Sequence, residues 1–457
     1  MARKTMRLAA TLAVLALVAA ACSSDGGNDS DASGNGGGGD GATLKVPGDY
    51  ATIQEAVDAA DPGSLILIAP GVYEEEVNVT TDDLVIRGLD RNETILDGNF
   101  EMENGIRVLE ADGVAIENLT AQNYTRNGFF WTGVDRYRGS YLNAIRNGDY
   151  GVYAFGSTNG VLEHSYASGS PDAGFYIGQC FPCDAVIDNV ISEWNGLGYS
   201  GTNSGGNLYI INSTWRYNRA GIVPNSGSYE GCAPETESTL VGNIVHDNGN
   251  PDTDAIDAAL LANRNGIVIA GGNDNVIERN LVFNHEVSGI ALAPFPEDDP
   301  IGPVVERPAE GCTEDAVPVP DEELAGLENP LLWFPNRNSV IGNVITDSGE
   351  WDLVVIAEAT EENCFADNDY TVSSPADIEA VLPCDGTPAE YAPDFGRFLE
   401  IVSGDQPPPV DYTEVELPDP GDQPNMPDPE GAPAVPAGVP PMIDLAAIAV
   451  PDRPEGA

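Results

Sequence analysis

The chain has 457 residues, with 74 Asp or Glu against 19 Lys or Arg and a net charge of −55; so acidic a surface repels nucleic acid and anionic headgroups, which excludes both as partners. Its 51 glycines and Asn-rich turns exclude a helix bundle and favour a turn-dense β architecture. The length suits two or three ordinary domains or one long repeat domain, and no segment after residue 21 is long and apolar enough to span a bilayer.

Residues 1–21 read as an export signal, with Arg3, Lys4 and Arg7 as the positive region and Leu8 to Val18 as the apolar one. The run then continues Ala19-Ala20-Ala21-Cys22-Ser23-Ser24. Small residues ahead of a Cys, followed by Gly, Ser, Asn and Asp, resemble a bacterial lipobox, although Ala19 stands where Leu is usual. The resemblance implies cleavage before Cys22 and diacylation of its sulfur, which anchors the protein to the cell membrane outside the cytoplasm. Cleavage removes three positive charges and no acid, so −55 becomes −58. Residues 22–43 are a Gly/Ser/Asn/Asp tether that holds the body off the membrane.

The body, residues 44–403, opens on Tyr50-Ala51-Thr52-Ile53-Gln54-Glu55-Ala56-Val57. Ile53, Ala56, Val57 and Ala60 share one helical face, and Asp61-Pro62-Gly63 ends the helix. Leu65 to Ala69 is a buried strand closed by Pro70-Gly71. A helix placed here covers the open end of a stack of strands.

An internal repeat follows. Glycine starts a short apolar segment at Gly105, Gly128, Gly151, Gly174, Gly198, Gly221, Gly266 and Gly289, at gaps of 23, 23, 23, 24, 23, 45 and 23. Gly196 competes with Gly198 for its place, and the gap of 45 holds one coil enlarged around residues 229–260. A second series runs through Asn118, Asn143, Ser165, Asn189, Asn212, Asn243, Asn280 and Asn343. About 23 residues hold three short strands and three turns but are too few for a βαβ unit. One such coil cannot bury its apolar face, whereas a stack can. The fold class is therefore all-β, a right-handed parallel β-helix with a short N-terminal capping helix. The Asn series reads as a hydrogen-bonding ladder between coils. Residues 404–457, rich in Pro, Asp and Glu, read as a disordered tail.

With Cys22 lipidated, Cys180, Cys183, Cys232, Cys312, Cys364 and Cys384 remain, enough for three disulfides among fifteen pairings. Sequence proximity favours 180–183, 232–312 and 364–384. The last pair flanks a short helix expected to start at Ser374 and Pro375. A redox role for Cys180-Phe-Pro-Cys183 needs a helix N-terminus, and its surroundings read as strand and turn.

The Tyr50–Val57 opening, with Pro70-Gly71-Val72-Tyr73, resembles the start of pectin-lyase-like proteins. These include pectin methylesterases and periplasmic β-helix proteins that assist nitrous oxide reductase. The later repeats resemble those of polysaccharide lyases, epimerases and binding proteins. The Gln-Asp-Thr-Leu, Gly-Asp-Val-Asp-Phe and Asp-Pro-His-Asp segments of the enzymes are absent, so no catalytic residue carries over.

Strand alternation supplies the surface signal. After each repeat glycine, Phe129, Val152, Phe175, Tyr199, Ile222, Ile267 and Ile290 point inward, whereas Arg107, Phe130, Tyr153 and Tyr176 point outward. Phe155 adds a second outward aromatic and Trp131 points in. Phe130, Tyr153, Tyr176 and Phe155 then form a sugar-stacking face. Two other candidates are the acid–base pair His285 and Glu286, and a weak Ca²⁺ loop of Asp252, Asp254 and Asp257. The sequence thus describes a surface lipoprotein that binds an envelope or environmental carbohydrate, with lyase- or epimerase-like processing as its enzymatic form. The alternative is a non-catalytic scaffold or accessory protein that contacts an envelope protein. No cofactor is required by the motifs, Ca²⁺ being the one ion they suit.

Overall fold

The computed structural model describes residues 41–297, 319–320, 331–356, 363–392, 396–397, 400, 410–454 and 456. The expected export signal, Cys22 and the expected tether up to residue 40 lie outside these residues. Among the described residues no helix is long and apolar enough to cross a membrane.

Three parallel sheets run along the body. Among the described residues sheet A has 12 strands, starting at Thr43–Val46, sheet B has 10, starting at Gly71–Tyr73, and sheet C has 11, starting at Val77–Val79. Each coil visits A, B and C in turn, and each strand pairs with its counterpart one coil on. In sheet C the inward row runs Ile106, Phe129, Val152, Phe175, Tyr199, Ile222, Ile267, Ile290 and Leu353 in unbroken register. Every one of these side chains is buried, and Trp131 joins them. This register gives the repeat place to Gly198 rather than Gly196. Glycine is needed there because neighbouring coils approach closely: a Cβ on Gly128 would lie 2.7 Å from the carbonyl oxygen of Gly151.

The gap of 45 is a single enlarged coil. Strand Ala220–Asn225 pairs directly with Ile267–Ala270, and the residues between carry a loop and helix α2 (Asp257–Leu261). A second excursion leaves sheet C after Ala293 and includes the antiparallel strands Phe295–Glu297, Val319–Pro320 and Leu331–Trp333.

Helix α1 (Ile53–Asp58) caps the N-terminal end, burying Ile53, Ala56 and Val57. The Thr52 hydroxyl accepts from the Glu55 amide, and the Glu55 carboxylate accepts from that of Ala51, so two orphan donors are satisfied. At the other end helix α3 (Ile378–Val381) starts later than the sequence suggests. Its first amide reaches the hydroxyl of Ser373 rather than of Ser374, because Ser373–Ser374 is still strand. Cys180–Cys183 and Cys364–Cys384 are disulfides. Cys232 is also disulfide-bonded, while Cys312 lies outside the described residues.

The Asn series proves to be two adjacent rows. Asn118, Asn189 and Asn212 share with Gly242 and Gly342 the left-handed position between sheets A and B, where Asn and Gly fit best. Ser165, Ser213, Asn243, Asn280 and Asn343 stand one residue later and point inward. There each side-chain oxygen accepts the amide of the coil before: Ser213 N to Asn243, Asn243 N to Asn280 and Asn280 N to Asn343, at 2.9–3.2 Å. Asn143 belongs to neither row and opens a sheet B strand.

The tail departs from expectation. Residues 410–454 have almost no regular structure, yet they are strapped to sheets A and B. Arg146 donates to the carbonyls of Thr413 and Val415, Arg91 to Pro424, Arg87 to Ala432 and Pro433, and Arg279 to Leu445 and Ile448, at 2.6–3.0 Å. Ala437 sits on Leu65, Leu67, Val85 and Ala115, and Ile443, Leu445 and Ile448 sit on Val186, Ile211 and Val241. Composition suggested disorder. What orders the segment is an apolar strip on the coils beside guanidinium groups that take bare carbonyls, which a Pro-rich chain offers freely.

Candidate functional site on sheet C

The strap and the excursions decide which outer surface stays open. The tail's contacts fall on sheets A and B and on the turns from B to C. The C-terminal half of sheet C's outer face is also closed, since Val223, Val268, Ala291 and Val354 are buried beneath Ala259, Ala262 and Leu332. The N-terminal half carries a different row. Asn78, Arg107, Phe130, Tyr153 and Tyr176 follow one another on successive coils. Parallel strands set such side chains about 4.8 Å apart.

The expected aromatic stack forms. Ring centroids are 5.0 Å apart for Phe130 and Tyr153, and 4.6 Å for Tyr153 and Tyr176, the second pair stacked with planes 21° apart. Phe155 stacks on Tyr153 at 5.8 Å. Phe130, Tyr153 and Phe155 are half-buried, each keeping part of its surface open. Tyr176 is not: it is 1% exposed, and its hydroxyl donates to Glu230 Oε2 at 2.6 Å. The open platform is therefore Phe130, Tyr153 and Phe155, and Tyr176 is its buried end.

Three residues that the sequence reading passed over complete the cluster. Tyr150 lies 4.5 Å from Tyr153 and 4.9 Å from Tyr176, and hydrogen-bonds Asp172. Glu230 arrives from the loop of the enlarged coil. Asn203 Nδ2 donates to the Glu230 carbonyl at 2.8 Å and the Gly231 amide donates to Gln179 at 2.9 Å, so the loop is pinned on both sides of the carboxyl. Burial pushes the Glu230 carboxyl up to about 8; the Tyr176 hydroxyl pulls it down and the charge of Asp172 adds to the rise. Tyr150, Tyr153 and Tyr176 are all raised, first by burial and then by nearby carboxylates, so their hydroxyls keep their protons.

At the other end of the row is a small polar hollow of about 70 Å³ lined by Glu76, Val77, Asn78, Glu103, Asn104 and Arg107. Arg107 Nε donates to Asn78 Oδ1 at 2.9 Å. Among the described residues its guanidinium has no carboxylate partner within ion-pair distance, although the chain is rich in acids. Two hydrogen-bonding ends with an aromatic floor between them suit a ligand with apolar faces and hydroxyl edges.

The other candidates separate. His285 is buried in line with the inward asparagines, its Nε2 3.2 Å from Asn248 Nδ2, and burial lowers it to about 3. Glu286 is exposed and pairs with Arg264 at 3.1 Å, so the two make no acid–base pair. In the acidic loop the carbonyls of Pro251 and Thr253 turn to the guanidinium of Arg219, while Asp252 and Asp254 remain peripheral. Asp257 opens α2, and among the described residues no group of three His, Cys, Asp or Glu is placed to hold a metal. The loop's oxygens serve an internal cation.

A family model described as right handed beta helix region matches residues 91–294. No curated protein matches the chain in sequence. Among solved structures, the A-module of mannuronan C-5 epimerase AlgE4 from Azotobacter vinelandii is similar at 17% identity and a TM-score of 0.49, over 76% of this chain and 94% of that one. The periplasmic alginate epimerase AlgG is similar at 12% identity and a TM-score of 0.41, over 72% and 83%. An alginate lyase from Paenibacillus sp. str. FPU-7 is similar at 14% identity and a TM-score of 0.42, over 73% and 96%. By the family match and its own three parallel sheets, the chain is a right-handed parallel β-helix repeat protein.

Proposed function

We propose that this protein is a surface-anchored carbohydrate-binding β-helix that lays an extended glycan along the N-terminal half of sheet C. The observation that carries this reading is the in-register row from Arg107 through Phe130 to Tyr153, open where the neighbouring outer faces are covered. Aromatic side chains at that repeat are not needed by the core, which the inward row already fills. Rings in line that keep part of their surface open suit a contact surface, and flat rings accept the C–H faces of sugars while Arg107, Asn78 and Asn104 meet hydroxyls. Glu76, Glu103, Asp149 and Asp172 surround the row, and the whole chain is acidic, so a neutral glycan fits better than a polyuronate. Diacylation at Cys22 would keep this face at the cell surface.

Affinity electrophoresis of the chain in gels containing laminarin, xylan, dextran, pectate or alginate tests the reading. Retardation by a neutral polysaccharide is expected. Phe130→Ala and Tyr153→Ala should each weaken it about fivefold, the effect of roughly 1 kcal/mol per lost ring contact. Retardation that both variants leave intact would place binding elsewhere, and none with any polymer would return the protein to the scaffold reading.

A further inference from the structure

The tyrosine–carboxyl cluster at the buried end of the row does more than a binding face requires. We infer that it is a hydrolytic centre, in which Glu230 donates a proton to a glycosidic oxygen and Asp172 accepts one from the attacking water. The inference rests on the binding proposal, because the row delivers the glycan to the cluster.

The geometry supports it in three ways. Glu230 is held from outside the repeat by a loop whose backbone is fastened to Asn203 and Gln179, so the carboxyl is aimed rather than left in solvent. One of its oxygens accepts from Tyr176, which leaves Oε1 to carry the proton. Asp172 stands on the same face, tied to Tyr150, and the two tyrosine rings pack against each other and against Tyr153, the last open ring of the platform. Asp172 and Glu230 are both half-buried as residues.

The chemistry follows from the ligand class. Elimination or C5 epimerisation needs a sugar carboxylate to acidify the C5 proton, and a neutral sugar has none. The route left is substitution at the anomeric carbon. As the C1–O bond breaks, the Glu230 proton passes to the departing oxygen. Water forms the new C1–O bond and gives its proton to Asp172, so one water is consumed and two hydroxyl-ended sugars result. The tyrosines serve as positioning residues, since their hydroxyls stay protonated. Burial also leaves Glu230 protonated up to about pH 8, as a proton donor at neutral pH must be. The ionisable groups facing it are Tyr150, Tyr153, Tyr176 and Asp172, with Asp149 next along the face.

The test is reducing-end release from the same five polysaccharides by the full chain, with Glu230→Gln and Asp172→Asn beside it and gel retardation measured for each. Glu230→Gln keeps the shape and the acceptor for Tyr176. The wild type should release reducing ends without the ultraviolet absorbance of an unsaturated sugar, and its rate should fall as pH rises through about 8. Each variant should lose about 100-fold or more in rate while the polymer that retards the wild type still retards it. Retardation without reducing-end release would overturn the hydrolytic centre and leave the binding face standing, as would an active Glu230→Gln. Unsaturated products would overturn it in favour of elimination. Retardation by none of the five polymers would remove both proposals together.

Discussion

His285 shows how a single side chain can be misread by its type. It sits where the three preceding coils carry Asn195, Asn218 and Asn248, whose side chains hydrogen-bond from coil to coil. Its pKa is depressed in the folded state, from an ordinary 6.5 to about 3, because burial disfavours the imidazolium. A depressed folded pKa contributes stability that is present above about 6.5 and lost as pH falls toward 3. Asn in its place keeps the rung and removes the titration. His285→Asn should therefore melt at a Tm close to wild type at neutral pH and above it near pH 4; thermal melts at the two pH values check this. The site's residues divide in the same manner. Phe130, Tyr153 and Tyr176 were legible because they share one offset from repeat glycines, and Phe155 because it lies two residues past Tyr153 on the same strand face. Tyr150, Asp172 and Glu230 were not. Glu230 in particular comes from an insertion with no period, and only the folded loop brings it to Tyr176.

At the scale of elements, the 23-residue period carried most of the fold. It gave the coil, the inward row and the enlarged coil at its correct place, because register in a sheet buried on its inner face is fixed by which residues are apolar. It blurred the asparagines, since the left-handed row and the inward row differ by one residue and both favour Asn. The tail was illegible for another reason: its partners are single arginines scattered over the coils, and arginines have no period. Arg279 binds the carbonyls of Leu445 and Ile448. Arg279→Ala should expose the segment around residue 445 to limited proteolysis, with cleavage at least about tenfold faster than in wild type for roughly 1.5 kcal/mol of lost charge-assisted bonds. Coil peptides should stay intact; mass spectrometry of the fragments over time decides it.

For the molecule as a whole, charge bears on the proposed anchorage. A chain with a net charge of −55 gains nothing electrostatically from an anionic membrane, so the proposed anchorage would rest on acyl chains alone. Cys22→Ser should accordingly move the protein from the membrane fraction to the medium, and fractionation followed by immunoblotting shows whether it does. An unchanged membrane fraction would mean that something other than Cys22 holds it there. A stack of coils also has a mechanical character. Each coil grips only its neighbours, so a pull on one end peels coils away singly, like tape from a roll. The strap alters that loading. It is fastened at Arg87 among the first coils and, by Arg279 and the Arg453–Asp347 pair, among the later ones. It therefore acts as a tie along the outside of a column: tension at one end is shared with distant coils, and the weakest joint no longer sets the strength of the whole.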